Sequence, residues 1–186
     1  FMIILSIPLI VGAQFTATEV IKLIAGDDFS GGGLPLQILM ISIALLFVSC
    51  IFSHVIIAID KQKKVIGLYL FTAISSVILY LLLIPKFSYL GASLVTVYSN
   101  LVILIGSLFY TKKLTAIKLN YKILKPVFLA SLGMAAFMLV LPRFIYQNSI
   151  LLLSIIIFSI LIYFVLLYLF KGISKDDLKM FSRKTI

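Results

Sequence analysis

The chain has 186 residues, 63% of them hydrophobic, and a mean hydropathy of +1.26. Soluble domains hold about 45–50% apolar residues, so composition alone excludes a water-soluble globule and indicates an integral membrane protein. The net charge of +10 does not bring in nucleic acid, because the basic residues lie between hydrophobic spans, where the positive-inside rule puts them.

Nothing at the N-terminus resembles a cleaved signal peptide. Phe1 opens directly in apolar sequence, so the chain reads as a fragment that begins inside or at the edge of a helix. The first span covers about residues 1–24, enough for ~30 Å of hydrocarbon, with Pro8 and Gly12 as kink points. The segment Ala25 to Gly33, AGDDFSGGG, is acidic and glycine-rich. It reads as a solvated turn, since a calcium loop needs more oxygen ligands at fixed spacing than Asp27 and Asp28 supply. The second span, about 34–59, ends in Asp60-Lys61-Gln62-Lys63-Lys64. It holds the single cysteine, Cys50, which excludes an internal disulfide or a multi-cysteine metal site and reads as a small packing residue.

The third and fourth spans, about 65–84 and 90–110, flank the stretch Leu81 to Thr96, LLLIPKFSYLGASLVT. The helix is predicted to run out at Ile84 and break at Pro85, because proline cannot continue a helix and disfavours helix before it. Lys86 to Leu90 then form a loop, and the small residues Gly91, Ala92 and Ser93 let two antiparallel helices approach closely. This is the tip of a transmembrane hairpin. The segment Thr111 to Lys125 places Leu114, Ile117, Tyr121 and Leu124 at spacings of three and four, with Lys118, Lys122 and Lys125 between them. It reads either as a short amphipathic surface helix or as an ordinary basic loop. The fifth span, about 126–141, is rich in small residues (Ala130, Ser131, Gly133, Ala135, Ala136) and ends at Pro142 and Arg143. The sixth covers about 150–170, and 171–186 form a basic tail in which Ser174, Asp176 and Asp177 look like a helix cap and first turn.

Charge sets the topology. Lys61, Lys63 and Lys64, then Lys112, Lys113, Lys118, Lys122 and Lys125, then Lys171, Lys175, Lys179, Arg183 and Lys184 make up thirteen of the sixteen basic residues; the alternate loops hold only Lys86 and Arg143. The 60–64 loop, the 111–125 segment and the tail are therefore expected in the cytoplasm, and an even number of spans puts both chain ends there.

The run LLLIPKFSYLGASLVT resembles the LIP-x-YG-x-x-GAA-x-AT signature of prokaryotic polysaccharide flippases. These belong to the superfamily that also holds multidrug and toxic-compound extruders and lipid II flippases. The run IPLIVGAQFTATEVIKLIAGDDF, Ile7 to Phe29, is similar to that family's ninth helix and following loop, and together the matches cover most of residues 1–171. Where the family often has Asn residues ahead of the LIP element, this chain has Ser75, Ser76 and Tyr80. The resemblance implies an all-α integral membrane fold: six transmembrane helices forming the C-terminal lobe of a fourteen-helix, two-lobed transporter that works by alternating access. The implied function is flipping a polyprenyl-pyrophosphate-linked oligosaccharide from the cytoplasmic to the outer leaflet of a prokaryotic plasma (inner) membrane, for polysaccharide biosynthesis. The implied partners are that lipid-linked oligosaccharide, membrane lipid, an N-terminal lobe ahead of residue 1, and a polysaccharide polymerase or glycosyltransferases. No cofactor is implied, and the coupling ion, proton or sodium, stays open. The family's last six helices also begin and end in the cytoplasm, which agrees with the topology derived from charge.

Such a cargo needs a polar, partly cationic chamber and a lipid-facing gap for its prenyl tail. Glu19 and Lys22 lie one turn apart in the first span. They either line such a chamber, as ionisable groups at membrane depth do by default, or form a local salt bridge with Lys22 snorkelling outward. Gln14 and Thr18 share a helical face with Lys22. His54, the only histidine, reads as a proton-coupling or sugar-binding group, or more simply as a partner in an interhelical hydrogen bond to Ser49 or Ser53. Asn100 and Gln37 are weaker candidates of the same kind. Tyr110, Tyr121, Phe144, Tyr146 and Tyr168 read as interfacial belt residues. The sequence has no nucleotide loop, G-x-S-x-G, H-E-x-x-H or paired carboxylates at a plausible separation, so no catalytic residue and no metal ligand is assigned and an enzyme is not expected. Two rivals stay in view. A cation-coupled multidrug exporter of the same superfamily would need an exchanging intramembrane acid, for which Glu19 is the only candidate. A non-transporting scaffold subunit of a glycan-synthesis complex would be complete with six helices.

Overall fold

Hydrocarbon offers no partner to a backbone N–H or C=O, so an apolar run must satisfy its own backbone, which a helix does within one segment. The computed structural model describes residues 2–115, 124–141, 149–170 and 172, and among them every regular element is helical. The helices are α1 (Met2–Ala25), α2 (Gly33–Ala58), α3 (Ile66–Leu114), α4 (Leu124–Val140) and α5 (Ser149–Leu169), with 3-10 turns at Asp27–Gly32 and Gln62–Val65. α1, α2, α3 and α5 are long and apolar enough to cross a membrane, and α4 is a shorter apolar helix. This composition of elements suits an all-α membrane protein. The chain divides into two compact units, Phe1–Lys118 and Leu119–Ile186.

In the first unit the usual order of burial is inverted. Thr72 and Ser76 are buried on α3, whereas Leu70, Phe71, Ile74, Val77, Ile78 and Leu81 are exposed, Leu81 by 72%. On α2, Ser42 and Ser49 are buried while Ile41, Leu46, Ile51 and Ile57 are exposed. Water would penalise that arrangement; lipid rewards it, because small polar residues knit helices together and large apolar ones meet acyl chains.

α1 ends at Gly26, whose φ of 95° suits glycine and whose N–H donates to the Lys22 carbonyl at 2.9 Å. The chain returns as α2, antiparallel to α1, with Gln14 opposite Gln37 and Thr18 opposite Gly33. α2 ends at Asp60, which takes a positive φ of 55°, and the Lys61 N–H donates to the Ile56 carbonyl at 3.1 Å. Aspartate is among the few residues that tolerate this conformation.

α3 has 49 residues and would reach ~73 Å if straight. It folds back at Ser88, where φ is 51° and ψ is −130°. Contacts nest about that turn: Leu83 lies against Gly91, Tyr80 meets Thr96, Ser76 meets Ser99, and Leu68 covers Gly106. The expected hairpin is present, but its break is not at Pro85. The helix runs through Pro85 to Phe87 and reverses at Ser88, so the expected 86–90 loop is nearly absent. The reason is that proline's fixed φ fits a helix and costs it one N–H bond and a ring contact. Reversal instead needs a residue outside the helical basin, and Ser88 supplies it. α2 packs on both limbs of this hairpin and α1 packs on α2.

In the second unit α4 and α5 are antiparallel, with Gly133 beneath Leu166 and Gly172 against Pro126 and Leu167. Buried residues recur at spacings of three and four on each helix: Val127, Ala130, Met134 and Met138 on α4, and Leu152, Ile155, Ser159, Tyr163 and Leu167 on α5. Of the small residues expected to drive close packing here, Ala130 and Ser131 are buried and Ala136 is exposed. Residues 116–123 of the basic segment (with Tyr121), Pro142, Arg143, Phe144, Tyr146 and the Ser174 cap lie outside the described residues.

Candidate functional site

Successive residues turn by about 100° around a helix, so Gln14, Thr18, Ile21 and Ala25 share one face of α1, with Lys22 and then Glu19 at its flank. The structure turns the Gln14–Thr18 part of that face toward α2. Gln37 Nε2 donates to the Gln14 carbonyl at 2.9 Å, and Gln14 Nε2 donates to the Gln37 carbonyl at 3.4 Å. Thr18 sits directly against Gly33, where a Cβ would stand 2.8 Å from the Thr18 Cα. Gly33→Ala is therefore expected to push α1 and α2 apart at a cost of about 2 kcal/mol, read as a lowered unfolding midpoint of the detergent-purified protein. Lys22 Nζ and Glu19 Oε1 are 3.3 Å apart, their side chains 32% and 23% exposed. A pair this accessible contributes at most about 1 kcal/mol.

A second polar group joins α2 to the second limb of α3, and that limb to the first. Asn100 Nδ2 donates to Ser42 Oγ at 2.6 Å and to the Ser42 carbonyl at 3.3 Å, while the Ser42 hydroxyl donates to the Thr96 carbonyl at 3.2 Å. Across the hairpin the Ser76 and Ser99 hydroxyls are 2.7 Å apart, Tyr80 Oη and Thr96 Oγ1 are 3.1 Å apart, and Tyr98 donates to Ser75 Oγ at 3.3 Å. Sequence reasoning picked out Asn100 here but not its partner Ser42. The signal that could have found the rest is a count outward from the turn: polar residues on the 66–87 limb mirror those on the 89–114 limb.

His54 is exposed on α2, and its Nδ1 lies 2.7 Å from the Cys50 carbonyl. The Cys50 Sγ lies 3.3 Å from the same nitrogen; a carbonyl only accepts, so the shorter contact is a hydrogen bond in the tautomer with the proton on Nδ1. The expected bond to Ser49 or Ser53, which both share α2 with His54 and so could not have linked two helices, is not made. Ser49 donates to the Leu46 carbonyl at 2.9 Å, and Ser53 Oγ meets Tyr69 Oη at 3.0 Å. The i−4 carbonyl on its own helix is the nearer partner for a ring that points away from the bundle. His54 thus stands apart from Gln14, Thr18, Glu19 and Lys22, and from Asn100.

The Asp27–Gly32 turn and Ser88 lie at the same end of the first unit, and a pocket of ≈ 330 Å³ opens there. Ile21, Ala25, Asp28, Phe29, Gly31, Gly32 and Tyr89 line it. The Tyr89 hydroxyl rests where a side chain on Gly31 would begin, 3.0 Å from an ideal Cβ. Asp28 gives this mostly apolar pocket its one carboxylate. Of the expected belt residues, Tyr168 is exposed, and Tyr110 packs edge-on to Phe109 with centroids 5.8 Å apart. The chain matches no protein-family model, no curated protein and no solved structure.

Proposed function

We propose that this chain is part of a membrane transporter that flips a polyprenyl-pyrophosphate-linked oligosaccharide across a prokaryotic inner membrane, as the sequence resemblance implies. In this reading α1, α2, the two limbs of α3, α4 and α5 make six crossings of one lobe, and a second lobe completes the cavity. The lysine-bearing end of the first unit is cytoplasmic, as are both ends of the chain. The observation that carries the reading is the closed tip of LLLIPKFSYLGASLVT, where the residues that resemble the flippase signature fold into a reversal with Gly91 against Leu83. Support also comes from the lining available. The Glu19–Lys22 pair and the Gln14–Gln37 seam give the α1 face toward the Asp27–Gly32 turn a polar character suited to sugars and phosphates.

The cation-coupled exporter is the weaker alternative, because Glu19 already holds Lys22 at 3.3 Å and exchange needs an acid free to take up an ion. The scaffold reading draws on no particular contact. The test is export in cells that depend on this gene for their surface glycan. Lys22→Ala, which removes the one cation on this face, is expected to lower the outer-face glycan by about tenfold, the worth of one charge-assisted contact. Normal export by both Lys22→Ala and Glu19→Ala would rule out the cavity role.

A further inference from the structure

The end of the first unit opposite the Tyr89 pocket carries five exposed lysines. Lys61, Lys63 and Lys64 lie at the 3-10 turn that enters α3, and Lys112 and Lys113 lie in its last turn. The hairpin register brings the two groups to one level. Leu68 covers Gly106 and Ser76 meets Ser99, and the same pairing continued toward the hairpin mouth sets Lys112 and Lys113 across from residues 61 and 62. α2 closes on this end too, with the Thr111 hydroxyl donating to the Phe52 carbonyl at 3.4 Å. Among the described residues the one acid here is Asp60, which accepts from Gln62 Nε2 at 2.9 Å. Five lysines against one carboxylate leave this end with a net charge of +4.

Immediately deeper, the same elements expose large apolar side chains. Ile57, Ile66, Leu70, Ile105 and Phe109 are each 57–61% exposed. Lys113 Nζ lies 6.0 Å from the Phe109 ring centroid, which puts its ammonium group at the border between the two surfaces. A partner that satisfies both must be an amphiphile, with an anion against the lysines and hydrocarbon against the apolar face. An acidic water-soluble protein could meet the lysines but would offer that face polar surface in place of hydrocarbon.

We propose that this end is a binding site for anionic phospholipid, its headgroup held by Lys61, Lys63, Lys64, Lys112 and Lys113 and its chains laid along the exposed face of α3. The site uses none of the residues proposed to line the cavity around Lys22, so it stands whether or not the chain transports a glycan. Each lysine beside an anionic headgroup contributes about fivefold in affinity.

Native mass spectrometry of the full chain in mild detergent tests this, with equal amounts of phosphatidylglycerol and phosphatidylcholine added. Wild type is expected to retain phosphatidylglycerol with at least about tenfold preference. Replacing all five lysines by glutamine is expected to abolish the preference, and replacing all five by arginine to keep it. Because the positions are exposed, both variants should fold. Equal retention of the two lipids by wild type overturns the proposal, as does a preference that survives in the glutamine variant or is lost in the arginine variant. Glycerol phosphate, the headgroup without chains, is expected to displace nothing in the same concentration range. If it displaces the lipid, the apolar face plays no part and the amphiphile assignment fails.

Discussion

Gly91→Ala is expected to destabilise the protein by about 3 kcal/mol, the upper end of the range for overpacking. A Cβ at that position would stand 2.5 Å from the Leu83 carbonyl oxygen, 2.7 Å from its carbon and 3.2 Å from the Ile84 nitrogen. All three are backbone atoms on the opposite limb, so no rotamer change relieves the clash. α1 and α2 can shift around Gly33 because the whole segment 26–32 connects them. Here the limbs are joined by a turn at Ser88, and opening the tip also strains the Tyr80–Thr96 and Ser76–Ser99 contacts at 3.1 and 2.7 Å. Gly106→Ala is the control. Its new Cβ would meet side-chain atoms of Leu68, both Cδ atoms and the Cγ, and no backbone; a rotamer change of Leu68 moves all three, so its cost is expected to stay at about 1 kcal/mol, below that of Gly91→Ala. Unfolding midpoints in a dodecyl sulfate titration measure both variants. Equal midpoints for the two would mean that the tip is not closed by the Gly91 contact.

The helices were legible because their signal is one of amount: apolar runs of twenty or more residues have few other fates. The hairpin was legible for a different reason, since Pro85 and the Gly91-Ala92-Ser93 run mark a reversal with a close approach after it. The residue that makes the reversal was not legible. Proline is the stronger sequence signal, yet its backbone angle is helical, and nothing about Ser88 in the sequence announces a positive φ. His54 shows the same limit. Sequence reasoning gave it a serine partner, Ser49 or Ser53, whereas the structure places it against the Cys50 carbonyl one turn back.

The polar contacts were the least legible part. Serine and threonine in apolar helices commonly bond their own backbone, as Thr16 does to the Gly12 carbonyl at 2.9 Å and Thr72 to the Leu68 carbonyl at 2.8 Å. Ser42 therefore looks no different in sequence from Ser49, although one fastens α2 to Asn100 and the other bonds only within its helix. The two lie seven residues apart on one buried face of α2, so their difference arises from what stands opposite each on α3, and hydropathy carries no information about that. The lysines at the α2–α3 junction were read correctly as a charge cluster. Their convergence with Lys112 and Lys113 depended on the hairpin register, which only the position of the turn supplies.

Asn100→Asp is expected to have the other large effect, and it separates two meanings of the same residue. Asn100 lies near the middle of the second limb of α3, about 18 Å from Ser88 along the helix. Its amide donates both of its bonds to Ser42, at 2.6 and 3.3 Å. Leucine in its place loses those donors but leaves the Ser42 hydroxyl bonded to the Thr96 carbonyl at 3.2 Å, a loss of about 1 kcal/mol on the scale of hydrogen bonds between membrane helices. Aspartate loses the same donors, sets a carboxylate against the Ser42 carbonyl oxygen, and brings a charge to mid-span, where insertion costs about 2.5–3.5 kcal/mol. If Asn100 is a clamp in a dry seam, the unfolding midpoint should fall far more for aspartate than for leucine. If it instead borders a water-filled chamber, water solvates the carboxylate, the two variants unfold together, and Asn100 belongs with Lys22 among the residues that meet the cargo.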